Sequence, residues 1–312
     1  MPQDLNALPR LRDSLSYLYI DKAVIERDEN SIVVLRKDDR LPIPVASLTV
    51  LMLGPGTNIT HAAMRVIAEN GCMVIWCGEG ALRFYGCGMG ETRSSTHLLR
   101  QVKCFSDEAL RMEAVRRMYS LRFQGVNLDG LNLQQIRGLE GARVREAYKL
   151  LAKKHRVKWG GRDYSRDDWD ASDDLNQALS AANACLYGLC NAAITSLGYS
   201  PGLGFVHTGK MMSFVYDIAD LYKMQTSVPA AFEVVSSLRT AEIGMSVRIV
   251  LRRLLREQRV LARISGDLEY IFGEIEPEEI NAEQVGELWD PEIGSVTGGK
   301  NYAETNDGRD HS

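Results

Sequence analysis

The pattern of hydrophobic and polar positions changes near residue 90. Before that point, short runs of branched and aromatic residues alternate with turn residues, which is typical of β-strands. One helix is expected from His61 to Glu69, after a Thr60 N-cap. The strands are expected at residues 15–20, 23–26, 31–35, 47–53, 72–76 and 81–85. The first 90 residues therefore predict a small, mainly antiparallel β-domain.

After the glycine-rich segment Gly86–Gly90, the apolar positions follow a helical period. Helices are expected at about residues 97–123, 140–155, 174–197, 213–223 and 241–264. No helix follows the glycines at the offset of a dinucleotide-binding fold, so the segment is interpreted as a linker. The predicted fold class is α+β, with a β-domain at 1–90, a larger all-α C-terminal domain at 91–276, and an acidic tail at 277–312 that is expected to be disordered.

Composition favours a soluble protein with one large core or two modest ones. The chain has 312 residues, of which 45% are hydrophobic and 25% charged. It contains no run of eighteen uncharged apolar residues, and its first residues lack the pattern of a signal peptide. We therefore expect a cytoplasmic protein that does not enter the membrane. Six cysteines without a CxxC pair indicate buried, reduced thiols.

The net charge of -4 conceals two unlike regions. The tail after residue 276 has nine acidic and two basic side chains, a net of -7. Residues 93–162 have sixteen basic and six acidic side chains, a net of +10. Such a basic block is often a surface that binds polyanions, although a solvated helical face explains it equally well.

The segment from His207 to Asp220 concentrates side chains that can bind metals. Asp217 and Asp220 are three residues apart in a predicted helix, so both point to one side of it. A glycine-containing turn before the helix can bring His207 towards them. An imidazole with carboxylates suits a divalent metal, but an acid pair at this spacing is more commonly a solvated helix face.

Glu140 is the second candidate, because it lies between two glycines and near Arg137, Arg143 and Arg145. It is expected at a helix start, where a carboxylate also interacts favourably with the helix dipole without any catalytic role. The surrounding arginines suggest a phosphate ligand. A catalytic metal would then bridge a protein carboxylate and a phosphate oxygen.

Three runs in this order resemble the motifs of one known family. They are Gly138-Leu-Glu-Gly-Ala-Arg-Val-Arg, Gly204-Phe-Val-His-Thr-Gly-Lys and Ser213-Phe-Val-Tyr-Asp-Ile-Ala-Asp. The family is CRISPR-associated protein one, the CRISPR adaptation integrase, and the similarity is greatest to the type I-E subtype. It extends over about residues 15–275 and includes the helix containing Arg116-Arg-Met.

The resemblance implies a metal-dependent endonuclease and integrase that joins 3′-hydroxyl ends of captured DNA to the CRISPR repeat and also cleaves branched DNA. It implies an N-terminal β-domain, an all-α catalytic domain, a homodimer, and a complex with CRISPR-associated protein two. Glu140, His207 and Asp220 correspond to the ligands of Mg²⁺ or Mn²⁺, and Asp217 to a supporting catalytic acid. The residues expected to hold DNA are Arg83, Arg137, Arg143, Arg145 and Lys210.

Two other functions remain open at this point. A plain metal-dependent nuclease would use water at the same site, and a DNA-binding scaffold would use the arginines without the acids. Tyr164, Tyr187 and Tyr216 are not interpreted as covalent nucleophiles, because Tyr216 lies beside metal-type acids rather than in an Arg-His-Arg cradle.

Overall fold

The computed structural model describes nine stretches of the chain. These are residues 17–37, 39–79, 83–88, 95–123, 125–161, 173–237, 243–273, 288–290 and 294–296. The chain divides into a large compact unit of residues 11–275 and a second unit of residues 1–10 and 276–312. The description below concerns the large unit unless the second is named.

Eight strands in the N-terminal part form two four-stranded sheets. The strands are β1 Tyr17–Ile20, β2 Val24–Asp28, β3 Ser31–Arg36, β4 Asp39–Ile43, β5 Val50–Leu53, β6 Asn58–Ile59, β7 Met73–Cys77 and β8 Phe84–Gly88. One sheet has the order β1-β5-β7-β8 and the other β4-β3-β2-β6. The first helix, α1 His61–Glu69, follows its expected Thr60 cap, whose side chain accepts from the Ala63 N–H.

The strand pairing is mixed rather than mainly antiparallel. The pairs β2–β3, β3–β4 and β7–β8 are antiparallel, whereas β1–β5, β5–β7 and β2–β6 are parallel. Parallel neighbours require a crossover connection, and α1 provides it between β5 and β7. The predicted fold class, strands followed by helices, is confirmed, but the direction of half of the ladders in this part was not predicted.

Helices dominate after residue 95. They are α2 Thr96–Ser106, α3 Glu108–Arg122, α4 Leu133–His155, α5 Asp174–Ser196, α6 Ser213–Asp220, α7 Ser227–Ser237, α8 Ile243–Glu257 and α9 Val260–Phe272. The expected helix at 97–123 is two helices, because Asp107 leaves helical geometry and caps α3 through the Leu110 N–H. The expected helix at 241–264 is also interrupted, where Arg259 adopts a left-handed conformation with φ 50°.

Helix α4 begins seven residues earlier than expected. Asn132 and Gln135 form a capping box in which each side chain bonds the other's backbone N–H at 2.9 Å. Glu140 therefore lies two turns inside the helix and not at its start. The interpretation of Glu140 as a first-turn acid that only interacts with the helix dipole is wrong.

Helix α5 connects the sheets to the other helices. Its buried side chains belong to two cores, one shared with β5, β7, α3, α6 and α9, and one shared with α7 and α8. Gly188 allows close contact with the sheet, since a Cβ there would lie 3.3 Å from the Phe84 nitrogen of β8. Gly86 and Gly88, expected in a linker, are part of β8. The domain boundary at residue 90 stays a prediction.

The second unit contains one small antiparallel pair among its described residues, β9 Leu288–Asp290 and β10 Gly294–Val296. Disorder in the rest of the tail concerns residues outside the described part and stays a prediction. Within the described residues, no helix has both the length and the apolar character needed to cross a membrane. Five of the six cysteines are buried as expected, and Cys87 is exposed.

The close contact at Gly188 predicts opposite effects for two helix glycines. Gly188→Val should lower the free energy of unfolding by about 1–3 kcal/mol, because the added methyl groups crowd β8. Gly138→Ala should raise it by about 0.5–1 kcal/mol, because a Cβ at Gly138 meets no neighbouring atom and alanine favours a helix. Urea denaturation measures both. Equal effects of the two substitutions would contradict the assigned packing.

Candidate active site

The loop of residues 201–212 precedes α6 and carries His207. Gly204 lies where this loop is tightest, because a Cβ there would collide with the His207 carbonyl oxygen and lie 2.7 Å from the Ser213 carbonyl carbon. A larger residue at this position would have to displace backbone. Glycine therefore lets the loop fold directly onto the first turn of α6.

Asp217, which lies on α6, holds this loop in place through hydrogen bonds. Its side chain is fully buried and accepts four hydrogen bonds from three consecutive residues. The backbone N–H groups of Phe205, Val206 and His207 donate at 2.6, 3.1 and 2.9 Å. The His207 ring donates from Nδ1 at 2.7 Å. A buried carboxylate is costly without partners, and here every bond it makes also positions the loop.

The bond to Asp217 determines which nitrogen of His207 is available. A carboxylate only accepts, so Nδ1 carries the hydrogen and Nε2 is left with its lone pair when the ring is neutral. The hydrogen bond to Asp217 raises the pKa of His207 above its ordinary value of 6.5, against the opposite effect of burial. His207 therefore has the orientation of a metal-binding imidazole supported by a carboxylate.

Asp220 lies one turn after Asp217 and is held by a lysine that the sequence analysis did not select. The Lys223 ammonium lies 2.5 Å from Asp220 Oδ1 and 4.9 Å from the centre of the Tyr187 ring. Burial lowers the pKa of Lys223, but the negative charge of Asp220 and the Tyr187 hydroxyl outweigh it and raise the pKa well above its ordinary value.

Glu140 reaches the same region from α4 through two residues of α3. The Tyr119 hydroxyl donates to Glu140 Oε2 at 2.7 Å, and Arg122 forms a close ion pair with Oε1. The same guanidinium lies 4.0 Å from Asp220 Oδ2. Tyr119 and Arg122 were not predicted as site residues, although both lie in the helix that contains Arg116-Arg-Met, because no local spacing singles them out.

These side chains surround one small cleft. The cleft is lined by Met118, Tyr119, Arg122, Val206, His207, Asp217 and Asp220. Glu140 contacts it through Tyr119 and Arg122. The structure thus brings together all four predicted acid and histidine residues from α4, the loop and α6.

A divalent metal suits the donor set but requires one rearrangement. Among the described residues, no three His, Cys, Asp or Glu side chains are close enough to hold a metal as they stand. The Arg122 guanidinium lies between two of the candidate ligands, since it pairs with Glu140 Oε1 and lies 4.0 Å from Asp220 Oδ2. Two carboxylates and an imidazole with a free nitrogen nevertheless match the preferences of Mg²⁺ and Mn²⁺. The donor types therefore fit the ion, and the Arg122 guanidinium occupies the side of the two carboxylates that the ion would need.

Three of the five arginines and lysines expected to hold DNA lie beside the cleft. Arg137 donates to the Val206 carbonyl at 3.0 Å. The guanidinium of Arg143 lies 4.8 Å from the centre of the Phe123 ring, next to Arg122. Lys210 is exposed on the loop of His207. The structure therefore brings three positive side chains to one side of the cleft.

The other two basic residues lie elsewhere in the large unit. The backbone of Arg83 packs against Gly188 of α5, and Arg145 extends over Gly141 on the surface of α4. Among the described residues, no hydrogen bond or ion pair links either arginine to the cleft. Beside the cleft, an open cavity of about 830 Å³ is lined by Arg111, Arg116 and Arg137, which the sequence block of +10 includes.

The burial of Asp217 predicts a large loss of stability in Asp217→Asn. An amide cannot replace the carboxylate for three backbone donors and an imidazolium, so we expect the free energy of unfolding to fall by about 2–4 kcal/mol at pH 6. The exposed Asp129→Asn serves as the control and should be neutral. NMR titration should show a lower pKa for His207 in Asp217→Asn.

The same pair predicts the sign of the pH dependence. Because the pKa of His207 is raised in the folded state, its bond to Asp217 contributes fully below the unfolded value of 6.5. The contribution of this bond to stability is lost as the pH rises through the pKa of His207 in the folded state. The stability difference between wild type and Asp217→Asn should therefore shrink with rising pH, and a growing difference would contradict the assignment.

Comparison with known proteins agrees with the motifs. The family described as CRISPR associated protein Cas1 matches residues 16–128 and 126–242. The chain is 49% identical over 306 residues to "CRISPR-associated endonuclease Cas1 2" of Thermus thermophilus, covering 96% of this chain and 94% of the relative. It is 42% identical over 276 residues to "CRISPR-associated endonuclease Cas1" of Escherichia coli, covering 88% and 90%.

A solved structure shows the same fold. "Crystal structure of TtCas1-DNA complex" has a TM-score of 0.79 and 51% identity, covering 86% of this chain and all of that one. A family match over most of the chain, relatives above 40% identity and a shared fold agree with one another. The chain belongs to the Cas1 family of CRISPR-associated proteins.

Proposed function

We propose that this chain is a metal-dependent DNA integrase and endonuclease of CRISPR adaptation. The observation that supports this most directly is the convergence of Glu140, His207 and Asp220 beside the exposed Arg137, Arg143 and Lys210. A scaffold that only binds DNA has no use for a positioned imidazole and two acids. The relatives named above are called endonucleases, which agrees with chemistry at a phosphodiester.

The proposed reaction joins a 3′-hydroxyl end of captured DNA to the CRISPR repeat. The hydroxyl attacks a phosphodiester of the repeat, the new phosphodiester forms, and the strand that leaves departs with its own 3′-hydroxyl. The number of phosphodiester bonds is unchanged, so no external energy source is needed. With water in place of the hydroxyl, the same site would cleave branched DNA.

Mg²⁺ or Mn²⁺ held by Glu140, His207 and Asp220 would, when bound, neutralise charge that develops on the phosphoryl oxygens. Asp217 holds the His207 ring through Nδ1, which leaves Nε2 as the nitrogen that would bind the ion. Lys223 holds one oxygen of Asp220, and Tyr119 holds one oxygen of Glu140, so neither carboxylate rotates freely. Positioning of this kind reduces the rearrangement needed during the reaction.

Tyr187 and Tyr216, the described tyrosines that the sequence analysis considered as nucleophiles, pack as aromatic rings near His207. The Tyr216 ring packs edge-on against Tyr187 and His207, with ring centres 4.9 and 5.8 Å apart. Tyr164 lies outside the described residues. Direct attack by the DNA hydroxyl therefore agrees better with the site than a protein–DNA intermediate does.

We further propose that the active form is a homodimer bound to CRISPR-associated protein two. The support is family membership, because the resemblance implies both partners. Duplex DNA with 3′ ends and the CRISPR repeat are the proposed nucleic-acid partners. The structure of a related protein is described as a DNA complex, and this supports DNA as a ligand of the present chain.

The proposed ligand set predicts loss of strand transfer in Glu140→Gln, His207→Ala and Asp220→Asn. Each should reduce joining of pre-cut DNA with free 3′ ends to a CRISPR repeat by about 100-fold or more, because removal of any ligand disables the same ion. Pairs of these substitutions should be no worse than single ones. Joined and cleaved products are separated on denaturing gels with Mg²⁺ or Mn²⁺ and with chelator.

Glu146→Gln is the matched control, an exposed acid on the same helix as Glu140. It should join DNA at the wild-type rate. Near-normal joining by any of the three ligand variants would remove that residue from the metal site. Metal-dependent cleavage without any joined product would instead identify the chain as a plain nuclease.

The exposed cations beside the cleft predict DNA binding that depends steeply on salt and little on base sequence. Phosphate contacts release counterions and carry no sequence information. Arg143→Ala should weaken duplex binding by about three- to tenfold at low salt and reduce the salt slope by about one. Fluorescence anisotropy between low and physiological salt measures both quantities.

Arg65→Ala is the control for this experiment. Arg65 lies on α1 in an exposed ion pair with Glu69 at 3.3 Å, apart from the basic block. It should leave affinity and slope unchanged. A wild-type affinity that does not respond to salt would show that the block of +10 is a solvated helical face.

A further inference from the structure

Glu140 and Asp220 each have one carboxylate oxygen bound by a neighbouring side chain and the other oxygen facing Arg122. Tyr119 holds Glu140 Oε2, while Arg122 contacts Oε1. Lys223 holds Asp220 Oδ1, while Arg122 lies 4.0 Å from Oδ2. The two oxygens left for a metal are thus the two oxygens that face one guanidinium.

Arg122 is well placed to remain there while no metal is bound. Its side chain is only 12% exposed, and its Cζ lies 5.3 Å and 5.4 Å from the ring centres of Tyr119 and Phe123. It also occupies the last turn of α3, where the helix dipole favours a cation. The two ring contacts, the helix dipole and the two carboxylates together hold the Arg122 guanidinium in one position.

The charges around Arg122 are already balanced, so a further cation beside it would be repelled. The carboxylates of Glu140 and Asp220 face Arg122 and Lys223, so this half of the site is already neutral. A divalent ion between the same carboxylates would place two more positive charges next to the guanidinium. At such short range in a partly buried site, like charges repel strongly.

We infer that Arg122 is a resident cation that competes with the divalent metal for Glu140 and Asp220 and must leave their facing oxygens before the metal binds. This inference rests on the metal site of the proposed function. Arg122 acts here as a positioning residue that keeps two acids together and ionically paired in the metal-free protein. Metal affinity is then set partly by the free energy needed to displace the guanidinium.

The inference predicts tighter metal binding in Arg122→Gln. The full-length protein without DNA is titrated with Mn²⁺, and free Mn²⁺ is counted by electron paramagnetic resonance, which does not depend on turnover. Arg122→Gln should bind Mn²⁺ about tenfold or more tightly than wild type, because the competing charge is gone. Arg122→Lys keeps a cation and should stay within about threefold of wild type.

Arg117→Gln is the matched control, because Arg117 lies on the same helix but pairs with Glu113 instead of the site acids. It should bind Mn²⁺ like wild type. Equal or weaker Mn²⁺ binding by Arg122→Gln overturns the competition while leaving the metal site intact. Absence of bound Mn²⁺ in wild type and in all variants overturns the metal site, and the competition with it.

A measurement on the wild-type protein covers the case in which Arg122→Gln does not fold. With ¹⁵N-arginine labelling, the Nε–H signal of Arg122 is assigned by its absence in Arg122→Lys. Saturating Mg²⁺ should shift this signal and speed its exchange with water, because the guanidinium leaves its two acceptors. A signal that Mg²⁺ leaves unchanged in a protein shown to bind Mg²⁺ overturns the inference.

Discussion

The buried carboxylate of Asp217 is the interaction on which the site depends. It removes a charge from water, which is unfavourable by itself, and compensates by accepting from three consecutive backbone N–H groups and from the His207 ring. Those bonds hold residues 205–207 in a single conformation. Gly204 makes the arrangement possible, because any side chain there would push the loop away from α6. The hydrogen bonds of the loop backbone to Asp217 therefore set the orientation of the His207 imidazole.

The rest of the large unit positions α3, α4 and α6 around the cleft. Helix α5 packs against α6, α7, α8 and α9 and also contacts β8 at Gly188, while α3 packs against α9 and α4 against α7. Helix α5 thus links the helices around the cleft to the sheets. The capping box at Asn132 begins α4 early enough to place Glu140 two turns inside a rigid helix. A carboxylate on such a helix is positioned more precisely than one at a fraying helix end.

The sequence predicted six of the eight strands before residue 90, helix α1 and helix α5, because their apolar patterns and end signals agree. It missed β4, which contains Arg40 and Pro42, and the two-residue strand β6. It did not reveal the breaks at Asp107 and Arg259, since the apolar stripe continues across both positions. Helix α7 was missed because it is short and almost uniformly apolar, with Pro229 in its first turn. The motifs identified the four acid and histidine residues of the cleft. Arg122 and Tyr119 act through contacts of α3 with α4 and α6, which no local pattern records. Lys223 lies three residues after Asp220, a local spacing that the sequence analysis did not use.

The cleft consists of two halves with different physical properties. Asp217 and His207 form the fixed half, in which burial and backbone hydrogen bonds leave one orientation for the ring. Glu140 and Asp220 form the exchangeable half, where the side chains are 20% and 17% exposed and their partners are the side chains of Arg122, Lys223 and Tyr119. Ion pairs at partly exposed positions contribute less than fully buried ones and are easier to replace. In the proposed metal site, the imidazole is held in one orientation before the ion arrives, and exchange of the cation at the two acids involves side chains and not the fold around them.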